Sequence, residues 1–162
     1  MPKATPRALL VALEAATAAW RDALGPRLVS MVLFGSVARG DACDSSDIDL
    51  VVVAEDLPRS LTERARVLRQ VWDRVRVERG LSNVEWNLVV KTPEEAAHHS
   101  PLYLDIVEDG ILLHDRNGFF QSILDAMRAR MQALGSRRVF LPDGAWYWDL
   151  KPDYRFGDVV EI

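Results

Sequence analysis

The sequence predicts a single α+β domain, α/β-like in its alternation, with helices packed on a mixed β-sheet. Three observations predict it. Apolar residues make up 49% of the 162-residue chain and charged residues 27%, enough for one core but not for several. Helical and extended patterns alternate in the order α-β-α-β-α-β-α-α-β-α with short loops between them, and no repeat or low-complexity block interrupts them. Two strongly apolar runs, residues 28–34 and 47–54, flank a short polar loop that opens with Gly35-Ser36.

Each element has a local reason. Leu9, Leu10, Leu13, Ala16, Trp20 and Leu24 recur at helical spacing over residues 6–24, and Gly25-Pro26 stops that helix. Val, Leu and Met fill a buried strand over 28–34. Residues 35–46 form the loop, with a short helix starting at Ser36, and 47–54 return as a second strand. Pro58 precedes a long helix over about 60–78, its apolar side carrying Leu61, Ala65, Leu68, Val71, Trp72 and Val75, and Gly80 ends it. Residues 83–91 alternate as a third strand. Short helices follow over 93–98 and 101–108, the second closed by Gly110, and then a short strand over 111–114. The last long helix spans 119–134 and stops at Gly135, with a short strand expected at 138–141. The tail, "DGAWYWDLKPDYRFGDVVEI", reads as aromatic and irregular. Residues 1–115 are expected to form the functional core, with residues 116–162 packed on it in the same domain.

Composition removes several function classes. A net charge of −4 argues against a dedicated nucleic-acid binder. Cys43 is the sole cysteine, so neither an internal disulfide nor a cysteine zinc cluster can form. No apolar run has the length of a membrane span, and no signal-type block follows the N-terminus, so a cytoplasmic location is expected. Seven arginines from Arg59 to Arg79 suggest a solvated helix face, or a surface that meets an acidic partner or phosphates.

The loop "LFGSVARGDACDSSDIDLVVV" concentrates the chemistry. Asp47 and Asp49, two residues apart on a strand, point the same way, while Ile48, Leu50 and Val52 face the other side. Two such carboxylates repel each other and resist desolvation, and a divalent cation resolves both problems. Gly35-Ser36 follows a strand and opens a helix, so free N–H groups point outward and the missing Cβ admits a phosphate. Ser36 adds a hydroxyl donor, Arg39 can reach a phosphate or pin the loop, Gly40 turns the chain back, and Ser46 can cap or orient Asp47.

Gly35-Ser36, Arg39-Gly40 and Ser46-Asp47-Ile48-Asp49-Leu50, with ten residues between the serine of the first pair and Asp47, resemble the signature of the DNA polymerase beta-like nucleotidyltransferases. Within that superfamily the chain is similar to the minimal nucleotidyltransferases, and its tail "WYWDLKPDY" resembles the ending of one subgroup. The resemblance implies a nucleotidyltransferase fold and an adenylyltransferase-type enzyme. It implies two Mg²⁺ ions held by Asp47, Asp49 and a third acidic residue, with ATP or another NTP as substrate. It also implies an acceptor hydroxyl on a protein such as a HEPN toxin, within a toxin–antitoxin pair. In "NVEWNLVVKTPEE" Glu85 is the expected third carboxylate, as ligand or base, although Asn87 stands where some relatives carry the acid.

Other candidates read as ordinary. Asp41, Asp44 and Ser45 are expected to form turns, His98 and His99 to lie on the surface, and His114 to be structural. Cys43 has no basic neighbour to activate it. Two alternative functions remain. One is a catalytically weak nucleotide-binding or toxin-masking module, for which Asn87 is the clue. The other is a small-molecule, aminoglycoside-type enzyme, disfavoured because only a short segment follows the sheet.

Overall fold

A computed structural model describes residues 6–42, 46–78 and 85–162. Cys43, Asp44, Ser45, Arg79, Gly80, Asn83 and Val84, on which several of the expectations above fall, lie outside the described residues. Helix α1 (Pro6–Leu24) leads into β1 (Leu28–Phe34), a short α2 (Gly35–Arg39) and β2 (Ile48–Ala54). Helix α3 (Leu61–Glu78), β3 (Trp86–Lys91), α4 (Pro93–Ala97), α5 (Leu102–Asp109), β4 (Ile111–Asp115) and α6 (Phe119–Leu134) follow. The chain closes with β5 (Arg137–Phe140) and β6 (Trp146–Asp149).

The first four strands form a mixed sheet in the order β3-β2-β1-β4, with β2 and β3 parallel and the other pairs antiparallel. Strand alternation divides the core between its two faces. Met31, Leu33, Ile48, Leu50 and Val52 pack with Leu13, Ala16 and Trp20 of α1 and Leu68 of α3. Val32, Phe34, Val51 and Val53 pack on the other face with Ala96 of α4, Tyr103 and Ile106 of α5, and Phe120 and Met127 of α6. The buried strands read as continuous apolar runs because both faces are covered. Tyr103 donates its hydroxyl to the Ala96 carbonyl at 2.9 Å, and burial pushes its pKa up to about 12.

The tail departs from expectation. Residues 146–149, expected to be irregular, pair with β5 as a separate two-stranded sheet, with Arg138 opposite Trp148 and Phe140 opposite Trp146. Three aromatics within four residues suit a strand, and Asp143-Gly144 supplies the turn.

Helix α3 packs Leu68, Val71 and Trp72 on the core as expected, but its first turns differ. Leu61 and Ala65 are exposed, while Arg64 is buried on the Leu68 side. Its guanidinium forks onto Glu95, Nη1 to Oε2 at 2.7 Å and Nη2 to Oε1 at 3.1 Å, and Nε donates to the Pro58 carbonyl at 3.1 Å. Glu95 also completes a capping box with Thr92 at the start of α4. One of the arginines read as surface charge is therefore an internal clamp between α3 and α4.

Arg64, followed by the Thr92 amide, holds the Glu95 carboxyl below its ordinary range. A depressed folded-state pKa stabilises the fold above the unfolded value, and that contribution disappears as pH falls through the folded value. Arg64→Ala is expected to destabilise the protein by about 1–2 kcal/mol at neutral pH, by removing the donor of the half-exposed Glu95 carboxylate and of the Pro58 carbonyl. Urea unfolding at neutral and acidic pH checks this, because the gap from wild type should narrow in acid.

Candidate active site at the β1–β2 loop

The site begins where β1 runs out of core. Phe34 is the last buried residue of β1, and the next residue, Gly35, takes φ +73°, a left-handed conformation that side chains resist. Helix α2 lasts little more than one turn, and Gly40 closes it at φ +78°, its N–H reaching the carbonyls of Ser36 and Val37. Asp41 N–H returns to the Ser36 carbonyl at 3.1 Å, which fixes the bend toward β2.

Antiparallel pairing sets Phe34 opposite Asp49, so the end of β1 and the start of β2 meet at one end of the sheet. Asp49 alternates with Val51 and Val53 on the α4–α6 face, yet it is only partly buried. Its carboxylate rests on Gly35, where an added Cβ would stand 2.1 Å from Oδ2 and 2.9 Å from Cγ. The glycine thus has two reasons to be there, its backbone angle and the carboxylate above it. Asp47 is exposed and lies just ahead of β2, whose pairing starts at Ile48, and Ser46 before it is partly buried. Ile48 is buried on the opposite face with Leu50 and Val52, as the alternation required.

Strand β3 brings Asn87 to the site. The parallel register sets Asn87 opposite Asp49, and Asn87 Nδ2 donates to Asp49 Oδ1 at 3.0 Å. Glu85 is exposed, one residue ahead of β3, and its backbone carbonyl accepts from Ile48 N at 2.9 Å. Glu85 is therefore tied to the start of β2 by its backbone, while Asn87 makes the side-chain contact with the aspartate. Among the described residues, no three acidic, histidine or cysteine side chains converge as a metal-binding group. Asp47, Asp49 and Glu85 share one end of the sheet without being gathered into one cluster.

Arg39, at the end of α2, pins its own loop through Nε to Asp41 Oδ2 at 3.2 Å. Its guanidinium carbon also lies 4.7 Å from the ring centroid of Trp146 on β6. Sequence reasoning assigned no chemistry to Trp146, because more than a hundred residues separate it from Arg39 and its strand was read as irregular tail. A cleft of about 640 Å³ lies at the other end of β2 among Glu55, Arg59, Arg64, Thr92 and Glu94. Its side chains are mostly acidic or already engaged in the Arg64–Glu95 clamp, a poor setting for a polyphosphate.

Residues 19–113, more than half of the chain, match the family model of the nucleotidyltransferase domain. The chain belongs to the nucleotidyltransferase family. The matched stretch holds the whole four-stranded sheet apart from the last two residues of β4, and with it every residue of the β1–β2 site; α6 and the β5–β6 hairpin lie beyond it. This nucleotidyltransferase is 32% identical over 108 residues to a Methanocaldococcus jannaschii protein named "Putative protein adenylyltransferase", covering 67% of this chain and 73% of that one. Its fold is similar to a toxin–antitoxin crystal structure with AMP-PNP (TM-score 0.51, 22% identity, 75% of this chain and 90% of the other). A mutant MntA–HpeT toxin–antitoxin structure gives the same TM-score, 0.51, at 19% identity, with 75% of this chain and 90% of the other covered. The mixed sheet with helices on both faces is the α+β nucleotidyltransferase fold that the sequence predicts. No helix among the described residues is long and apolar enough to cross a membrane.

Proposed function

We propose that this enzyme transfers the nucleoside monophosphate of a magnesium-bound NTP, AMP from ATP in the first instance, onto a hydroxyl of a protein acceptor. The observation that carries the reading is Asp49 seated on a left-handed Gly35 at the start of α2, with Asp47 two residues upstream. Hard carboxylates at the mouth of a glycine bend fit Mg²⁺, and Asp47 and Asp49 are the residues that would hold it. When bound, the ion supplies charge compensation for the triphosphate and acidifies the attacking hydroxyl.

The chain's own groups do the rest. The N–H groups of the Gly35–Arg39 turn and the Ser36 hydroxyl receive the phosphates, Gly40 sets the return of the loop, and Arg39 offsets their charge. Ser46 precedes Asp47 and orients the approach to β2. The acceptor oxygen attacks the α-phosphorus, the bond to the β-phosphate oxygen breaks in line, and pyrophosphate leaves. Glu85, exposed and anchored to the start of β2, receives the hydroxyl proton or completes the metal's ligands.

The protein acceptor is favoured by the name of the Methanocaldococcus jannaschii relative and by the toxin–antitoxin neighbours, one of them with AMP-PNP. A toxin of the HEPN type in the cytoplasm is the acceptor the reading points to. A second reading, a toxin-masking module with weak catalysis, is favoured by Asn87, which puts an amide where a third carboxylate would face Asp49. Incubation with α-labelled ATP, Mg²⁺ and a lysate separates them. A labelled protein band that requires Asp47 and Asp49 supports transfer, whereas tight partner binding without label supports masking. Label on a small molecule would redirect the acceptor.

A further inference from the structure

The β5–β6 hairpin, which lies beyond the family-matched stretch, reaches the arginine of the α2 loop. One carboxylate docks it on α5. Asp105 Oδ1 accepts from Trp146 Nε1 at 3.2 Å, from Trp148 Nε1 at 2.9 Å and from Arg138 Nη2 at 3.2 Å. Arg138 also pairs with Asp109 at 2.7 Å, and its guanidinium carbon stands 5.2 Å from the ring centroids of both Trp146 and Trp148. Phe140 flanks Trp146 with ring centroids 6.2 Å apart. With its N–H tied to α5 and its ring held between neighbours, the Trp146 π face is fixed in place, and Arg39 lies over it.

We propose that Trp146 is a positioning residue for nucleotide binding, holding the Arg39 guanidinium so that it meets the polyphosphate in one orientation. The inference rests on the reading of the β1–β2 loop as an NTP site. An unrestrained arginine samples many rotamers and must be ordered when phosphate arrives. A guanidinium held over an indole face keeps its donors available while its position is restricted. Asp41 takes Nε, so the Nη groups are the ones that turn toward phosphate oxygens. The C-terminal hairpin thereby gives this chain a device that the matched domain alone does not contain.

MgATP titration calorimetry on the full chain, with thermal melts alongside, tests this in wild type, Trp146→Phe, Trp146→Leu, Arg39→Ala and the Arg39→Ala/Trp146→Leu double variant. Leucine fills the space without a π face and is expected to raise Kd about tenfold, whereas phenylalanine stays within about twofold. The double variant is expected to bind no more weakly than Arg39→Ala alone, because Trp146 acts through Arg39. A Leu variant that binds like wild type, or that weakens the Arg39→Ala background by the same factor, overturns the proposal. If the Leu variant does not fold, Arg39→Lys decides: it keeps the charge but loses the planar guanidinium, and an unchanged Kd overturns the proposal. Wild type that takes up no MgATP overturns the NTP-site reading and this proposal together. Wild type that binds beside an unaffected Leu variant overturns this proposal alone.

Discussion

Gly35→Ala is expected to lower transferase activity by at least about a hundredfold and to destabilise the protein by roughly 2–4 kcal/mol. Two penalties combine. The new residue must hold φ +73°, a conformation that costs an L side chain on the order of 1–2 kcal/mol. Its Cβ would also stand 2.1 Å from Asp49 Oδ2, so either the carboxylate swings away or the loop shifts. Whichever moves, the carboxylate that is proposed to hold the metal leaves its place on Gly35. Gly135→Ala, at the end of α6 and outside the site, is the matched control. Its φ of +70° carries similar backbone strain, but nothing lies within 4 Å of the added Cβ. It is expected to lose about 1 kcal/mol of stability and to keep most of its activity. Thermal melts and initial rates on both variants check the contrast.

Asp49→Asn is expected to remove activity by a factor on the order of a thousand while leaving the fold intact. Asparagine has nearly the same shape, so it fits above Gly35, and its carbonyl can still accept the Asn87 amide that now reaches Oδ1 at 3.0 Å. What disappears is the negative charge. On the proposed reading, a partly buried carboxylate two residues from Asp47 serves the metal and not the stability of the fold. The melting temperature should therefore match or exceed that of wild type while activity collapses. A parallel loss of both would mean that Asp49 is a structural residue. Asp47→Asn, at an exposed position, should show the same separation with an even smaller change in stability.

Much of this was legible in the sequence because it is local. The β1 run, the glycine bend and the alternation of Ile48, Leu50 and Val52 against Asp49 depend on spacing within about twenty residues, and the structure keeps all of them. What sequence reading missed depends on tertiary partners. Arg64 reads as surface charge until Glu95 arrives from α4 to accept its fork. Trp146 reads as irregular tail until β5 pairs with it and Asp105 takes its N–H. Which side chain of this segment faces Asp49 depended on register. The parallel pairing sets Asn87 against Asp49 and leaves Glu85 one residue ahead of the strand, a difference that no spacing rule contains.

The most direct measurement is a crystal structure of the wild-type chain with Mg²⁺ and a non-hydrolysable ATP analogue. The account predicts phosphate density against the backbone of Gly35–Arg39, the ion in contact with Asp47 and Asp49, and the Arg39 guanidinium on a phosphate oxygen. Nucleotide seated instead in the cleft between Arg59 and Thr92, with both aspartates free of metal, would contradict it.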